Sequence, residues 1–143
     1  MFLGEYEHSI DQKGRLAIPV KFRTALADGA VVTRGLDNCL TIYPKREWEV
    51  LAERIAALPM TDQNARAFAR FILSGAVDVE ADKQGRVILP AYLRQHAQLG
   101  GNVVVAGLCN RVEIWDKSKW NEQRTQIEAN ATAIANQLSE LGI

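Results

Sequence analysis

Two stretches decide how this chain is read: Asp11-Gln12-Lys13-Gly14-Arg15-Leu16-Ala17-Ile18-Pro19 and Asp82-Lys83-Gln84-Gly85-Arg86-Val87-Ile88-Leu89-Pro90. They are one motif written twice, at an offset of 71 residues. Laid over 73–90, residues 2–19 repeat Gly4, Asp11, Gly14, Arg15 and Pro19, five identities in 18 positions; average composition gives about one. One inserted residue moves the offset to 72, and residues 31–48 over 103–120 match at eight of 18 positions: Val31, Val32, Gly35, Leu36, Asn38, Ile42, Lys45 and Trp48. The chain is an internal duplication. A unit of roughly 45 residues buries little surface by itself, so the two repeats are expected to share one core.

Working outward from the motif, each unit reads as β-turn-β, helix, β-turn-β. In the first, Glu5 to Ile10 and Arg15 to Ile18 alternate like short strands about the turn Asp11–Gly14, and Pro19 stops the second. A short helix over Lys21–Ala27 follows, then strands Val31–Thr33 and Leu40–Tyr43. The second unit repeats this with Ala76–Glu80, Arg86–Leu89, a helix over Tyr92–Gln98, Val103–Ala106 and Val112–Trp115. Trp48, Leu51, Ile55 and Leu58 have helical spacing and end at Pro59; a second helix opens at Thr61 or Asp62 and runs through Ile72. The expected organisation is repeat 1 over 5–47, a helical connector over 48–75, repeat 2 over 76–119 and a C-terminal helix over 120–143. The fold class is α+β with a mainly β core.

The motif carries the candidate chemistry. Gly before Arg supplies the positive φ of a tight turn. Asp opens the turn, where its carboxylate accepts from backbone N–H groups, and it lies four residues from the Arg it can orient. A single copy reads most simply as a sound hairpin turn with solvated charges. Two copies shift the balance, because a turn needs the Gly and the Asp but not the same Arg. Pro19 and Pro90 are explained by structure alone, since each starts a helix. Arg suits planar, bidentate contacts with phosphate or a guanine edge, and a pair of Arg-bearing hairpins is what a β-ribbon reader of DNA presents.

Composition sets limits on this reading. Of 143 residues, 48% are hydrophobic and 24% charged, as in an ordinary globular domain rather than a disordered chain. Lys plus Arg and Asp plus Glu are 17 each, which excludes a protein that coats DNA with a uniformly basic surface. Charge is segregated instead. Residues 11–23 hold Lys13, Arg15, Lys21 and Arg23 against Asp11, and residues 82–94 hold Lys83, Arg86 and Arg94 against Asp82. Residues 113–143 are acidic. Cys39 and Cys109 fall at non-equivalent repeat positions and form no C-x-x-C pair, so a reducing cytosolic compartment is expected. The opening residues lack a signal peptide's basic and apolar regions, and no stretch is apolar for the roughly 18 residues of a membrane span. His8 and His96 lie far apart with no ligand spacing around them, so no metal is expected. No phosphate loop, dinucleotide fingerprint or nucleophile elbow occurs, and an enzyme is not expected. Trp48 and Trp120 match each other and read as packing residues. The stripe Ile127, Ala131, Ile134, Leu138 and Leu141 either docks on its own body or packs between subunits.

Asp-x-Lys-Gly-Arg-x-x-x-Pro near the start and Asp-x-x-Gly-Arg-x-x-x-Pro some 70 residues on, together with Met1-Phe2-Leu3-Gly4, resemble the MraZ family of bacterial transcriptional regulators over essentially the whole chain. The resemblance implies two tandem SpoVT–AbrB-type swapped-hairpin units, related to double-psi β-barrel halves. It places DNA contacts on Lys13, Gly14 and Arg15, and on Gln84, Gly85 and Arg86, with Asp11 and Asp82 in support. The second loop departs from the first, with Gln84 in place of Lys13 and Lys83 partly substituting. The resemblance further implies a double-stranded DNA target of G-rich direct repeats, upstream of a cell-division and cell-wall gene cluster that includes its own gene. It implies a ring-shaped homo-oligomer, a cytoplasmic, nucleoid-associated location, and no cofactor, membrane or small-molecule substrate. The alternative is a protein-interaction module of antitoxin-like swapped-hairpin type that binds no DNA.

Overall fold

A computed structural model describes residues 1–143. The first repeat supplies β1 (Phe2–Ser9), β2 (Arg15–Ala17), α1 (Val20–Leu26), β3 (Ala30–Arg34) and β4 (Leu40–Pro44). Helices α2 (Lys45–Ala56) and α3 (Gln63–Leu73) follow. The second repeat supplies β5 (Val77–Val79), β6 (Arg86–Ile88), α4 (Ala91–His96), β7 (Asn102–Cys109) and β8 (Val112–Asp116), and α5 (Lys117–Gln137) ends the chain with a 3-10 turn over Ser139–Leu141. The fold is α+β, as the pattern implies.

The repeats are interleaved rather than placed side by side. Six strands form one antiparallel sheet in the order β1-β7-β8-β4-β3-β5. The first strand of each repeat therefore pairs with the third strand of the other, β1 with β7 and β5 with β3. The fourth strands meet in the middle, Leu40 opposite Ile114 and Ile42 opposite Val112. The second strands form a separate two-stranded ribbon, β2 with β6. This exchange is the swapped arrangement that the resemblance implies, with the two repeats sharing one core. Between β1 and β2 there remain only the bridge Ile10–Leu16 and the bond from Asp11 N to Arg15 O at 3.1 Å. The reason is burial: pairing across the repeats puts Leu16 and Val87, 0% and 4% exposed, into a core that neither unit could enclose alone. That core continues through Ile18, Phe22, Val32, Leu40, Leu89, Leu93, Val103 and Ile114.

β1 begins at Phe2 rather than Glu5 because all eight of its residues find partners on β7, from Phe2–Cys109 to Ser9–Asn102. Gly107 permits that close approach; a Cβ there would lie 2.5 Å from Leu3 N. Phe2 then meets Phe22 edge-on at 5.2 Å. Pro19 and Pro90 occupy the N-cap positions of α1 and α4, and their carbonyls accept from Phe22 N and Leu93 N. Asp62 caps α3 by accepting from Asn64 N and Ala65 N. Helix α5 is tied down only near its start, where Lys117 pairs with Glu7 and Arg124 with Glu5, at 3.2 and 2.8 Å, and Trp120 packs edge-on against Trp115. Its stripe does not dock on its own body: Ile127, Ile134, Leu138 and Leu141 all remain exposed. No helix is long and apolar enough to cross a membrane.

Candidate nucleic-acid interface

Both turns are built by one set of bonds. Asp11 Oδ1 accepts from Lys13 N and Arg15 N, each at 2.9 Å, and Oδ2 accepts from Arg15 Nε at 2.6 Å. Asp82 Oδ1 accepts from Gln84 N and Arg86 N, and Oδ2 from Arg86 Nε, all at 2.9 Å. The turns close through Gly14 N to Asp11 O and Gly85 N to Asp82 O. Gly14 and Gly85 sit at φ +79° and +76°, a region that costs an L side chain about 1–2 kcal/mol. Backbone amides from Arg15 and Arg86 are the main reason that the Asp11 and Asp82 carboxyls lie below the usual carboxylate range; the guanidiniums lower them further. Each carboxylate thus fixes its arginine through Nε and leaves the terminal Nη groups without a protein partner.

Ribbon register puts the two arginines together. Arg15 faces Ile88 and Ala17 faces Arg86, while Leu16 faces Val87. Since side chains alternate across a strand, Leu16 and Val87 point into the core, and Arg15, Ala17, Arg86 and Ile88 share the outward face. The arginines are diagonal neighbours on one surface. Lys13, Lys83 and Gln84 flank them, fully at the surface. Gly14 and Gly85 do not protrude as a free-standing hairpin would present them. Both are buried, because each turn is bound into the opposite repeat: Leu89 N donates to Gly14 O at 2.8 Å, and Ile18 N to Gly85 O at 2.9 Å.

Arg23 and Arg94, which in the sequence add only local charge, complete this architecture. Arg23 Nε donates to Ile18 O and Arg94 Nε to Leu89 O, both at 2.9 Å. Each guanidinium then lies over the turn glycine of the other repeat. A Cβ at Gly85 would stand 2.4 Å from Arg23 Cζ, and one at Gly14 would stand 3.1 Å from Arg94 Cζ. The signal was available, since the 71-residue offset that aligns Arg15 with Arg86 also aligns Arg23 with Arg94.

Of the other polar groups, only His8 feels this surface, through Arg23. Burial, and then the charge of Arg23, push His8 below its ordinary value. His96 Nε2 lies 3.3 Å from Gly35 O, and its ring meets Phe71 edge-on. Cys39 is buried, and desolvation raises its thiol strongly; Cys109 is exposed. No group of three His, Cys, Asp or Glu side chains is placed to hold a metal ion.

The profile of the MraZ family, described as MraZ protein and antitoxin-like, matches residues 1–71 and again residues 72–140. The chain belongs to the MraZ family. Its similarity to individual members extends from end to end. It is 51% identical to the transcriptional regulator MraZ of Natranaerobius thermophilus over 143 residues, all of both chains. The MraZ regulators of Desulfitobacterium hafniense and Pediococcus pentosaceus are each 50% identical over the same full length of both chains. The two matched segments correspond to the MraZ units whose strands interleave in the sheet.

Proposed function

We propose that this MraZ protein is a sequence-specific DNA-binding transcriptional regulator that reads double-stranded DNA with Arg15 and Arg86. One observation carries the reading: the outward face of the β2–β6 ribbon presents two guanidiniums, each fixed through Nε by an aspartate, with their Nη edges free. A two-stranded ribbon fits the major groove, and a guanidinium held in plane suits the paired acceptors O6 and N7 of guanine. Lys13 and Lys83 supply phosphate contacts beside them, and the amides of Gly14 and Gly85 hold the turns in shape. Gln84 lacks the charge of Lys13, so the second turn contributes less.

The family resemblance extends this reading to a repressor of a cell-division and cell-wall cluster that includes its own promoter, bound at G-rich direct repeats by a ring of subunits in the cytoplasm at the nucleoid. Several subunits are needed because one ribbon makes few phosphate contacts. Tandem repeats raise the effective concentration of each further contact without a new interaction. The regulator acts through binding and not as an enzyme. A second reading, a protein-interaction module, draws on the exposed stripe of α5.

A gel shift with the region upstream of its own gene, beside an unrelated fragment of equal length, separates the two. The DNA reading expects retention of the upstream fragment at protein concentrations that leave the other free. Equal retention, or none, overturns it.

A further inference from the structure

The geometry points to Arg23 and Arg94 as a second pair of DNA-contacting residues, each gripping a phosphate beside the turn of the opposite repeat. The inference rests on the ribbon reading DNA, as proposed above, and adds contacts outside the Asp-x-x-x-Arg motif.

Each of these arginines is held as Arg15 and Arg86 are held. Nε donates to a fixed acceptor, here the backbone carbonyls of Ile18 and Leu89 at 2.9 Å. Neither guanidinium has a carboxylate within ion-pair distance, and no Nη atom of either finds a hydrogen-bond acceptor in the protein. A partly buried cation with no counter-ion is costly unless a partner arrives, and a planar fork with two free Nη groups matches a phosphate diester. Position supplies the rest. Arg23 lies against Gly85, next to Arg86, and Arg94 lies against Gly14, next to Arg15. Each turn thus offers one arginine from its own repeat and one from the other. A contact to a base edge and a contact to the neighbouring phosphate can be made at one step of the duplex.

Phosphate and base contacts leave different signatures. A phosphate contact weakens binding to all sequences alike and lowers the salt dependence, by about 0.9 in the slope of log K against log [salt] for each contact removed. Arg23→Gln and Arg94→Gln retain an amide donor for the carbonyl and remove the charge. Anisotropy titrations of the full chain on the upstream duplex and on a scrambled duplex, from 50 to 300 mM KCl, are expected to show a shallower slope for both variants, with discrimination between the duplexes unchanged. Arg23→Gln should be non-additive with Arg86→Ala and additive with Arg15→Ala, since Arg23 serves the second turn. A folded variant with the wild-type slope would overturn the inference and leave the ribbon reading intact. A wild-type protein that does not discriminate the two duplexes would overturn the ribbon reading and this inference with it. Should Arg23→Gln fail to fold, Arg94→Gln carries the same test at the first turn: a folded variant with a shallower slope supports the phosphate contact, and one with the wild-type slope overturns it.

Discussion

The two turns carry the same bonds on different surroundings. Asp11 and Asp82 each hold two amides and one guanidinium, and each turn glycine lies under an arginine of the other repeat. The strands leading into them differ. β1 pairs along eight residues of β7, while β5 pairs along three of β3. Ile10 bonds to Gly101 O and packs against the core at the entry to the first turn. Its counterpart Ala81 does not fill the equivalent space, and a cavity of about 590 Å³ opens there between Arg23, Leu26, Val79 and Gly85. The difference teaches that arginine geometry is set within five residues and by the swapped partner, and not by the length of the strand that delivers it.

The sharpest way to break this comparison is to place a Cβ on each turn. Both glycines have positive φ, so Gly14→Ala and Gly85→Ala share the conformational cost of about 1–2 kcal/mol. They differ in what the methyl meets. At Gly14 it meets the Leu89 carbonyl at 2.9 Å, backbone just past β6 that cannot move aside, as well as the Arg94 side chain. At Gly85 the nearest atoms belong to the Arg23 side chain, which can swing away by giving up its bond to Ile18 O. Gly14→Ala should therefore cost about 2–4 kcal/mol and Gly85→Ala about 1–2 kcal/mol in urea unfolding. Equal losses would show that the turns are braced alike.

Next in size come the arginines. Removing a bidentate base contact costs about 1–3 kcal/mol per site. Arg15→Ala should weaken specific DNA binding more than Arg86→Ala, because the first turn also carries Lys13 where the second has Gln84. Both should unfold within about 0.5 kcal/mol of the parent, as expected for side chains outside the core. The reverse order of affinities would make the second turn the principal reader. Smaller still, Ala81→Ile should fill part of the cavity and stabilise by about 1 kcal/mol or less, while Ile10→Ala costs more than that.

Much of this was legible in sequence, and the omissions have physical causes. The repeat offset, the glycine conformations, the Asp–Arg clamp and the Asp62 cap follow from local rules that act within five residues. Partner choice does not. Nothing in Arg15–Ala17 states that its ladder is completed by Arg86–Ile88, because three residues with one inward-facing side chain fit any antiparallel partner; shared burial of Leu16 and Val87 decides. Strand β1 extends to Phe2 for the same reason, through pairing with Asn102–Cys109 far along the chain. Arg23 and Arg94 were visible at the repeat offset but read as solvated charge, since a surface helix explains an arginine without any partner. The stripe on α5 showed its period and not its destination.

The smallest effect concerns His8. Its folded pKa lies below 6.5, through burial and then the charge of Arg23. The unfolded chain therefore takes up a proton first as pH falls, so the contribution of neutral His8 to stability is complete above about pH 6.5 and declines below it. The Asp11 and Asp82 clamps act lower, intact above about pH 4 and lost as pH falls through their depressed folded values. Imidazole NMR titration should place His8 below the ordinary imidazole range, and Arg23→Gln should move it upward. A His8 midpoint indifferent to Arg23→Gln would mean that burial alone sets it.

The central claim is that two aspartate-clamped arginines on one ribbon read DNA sequence. Its most direct test is an anisotropy titration of the Arg15→Ala/Arg86→Ala double variant on the upstream duplex and on a scrambled duplex, with thermal unfolding measured on the same sample. The account predicts an unchanged unfolding midpoint, residual salt-sensitive binding through the lysines, and loss of discrimination between the two duplexes. A folded double variant that still prefers the upstream duplex as strongly as the parent would contradict it.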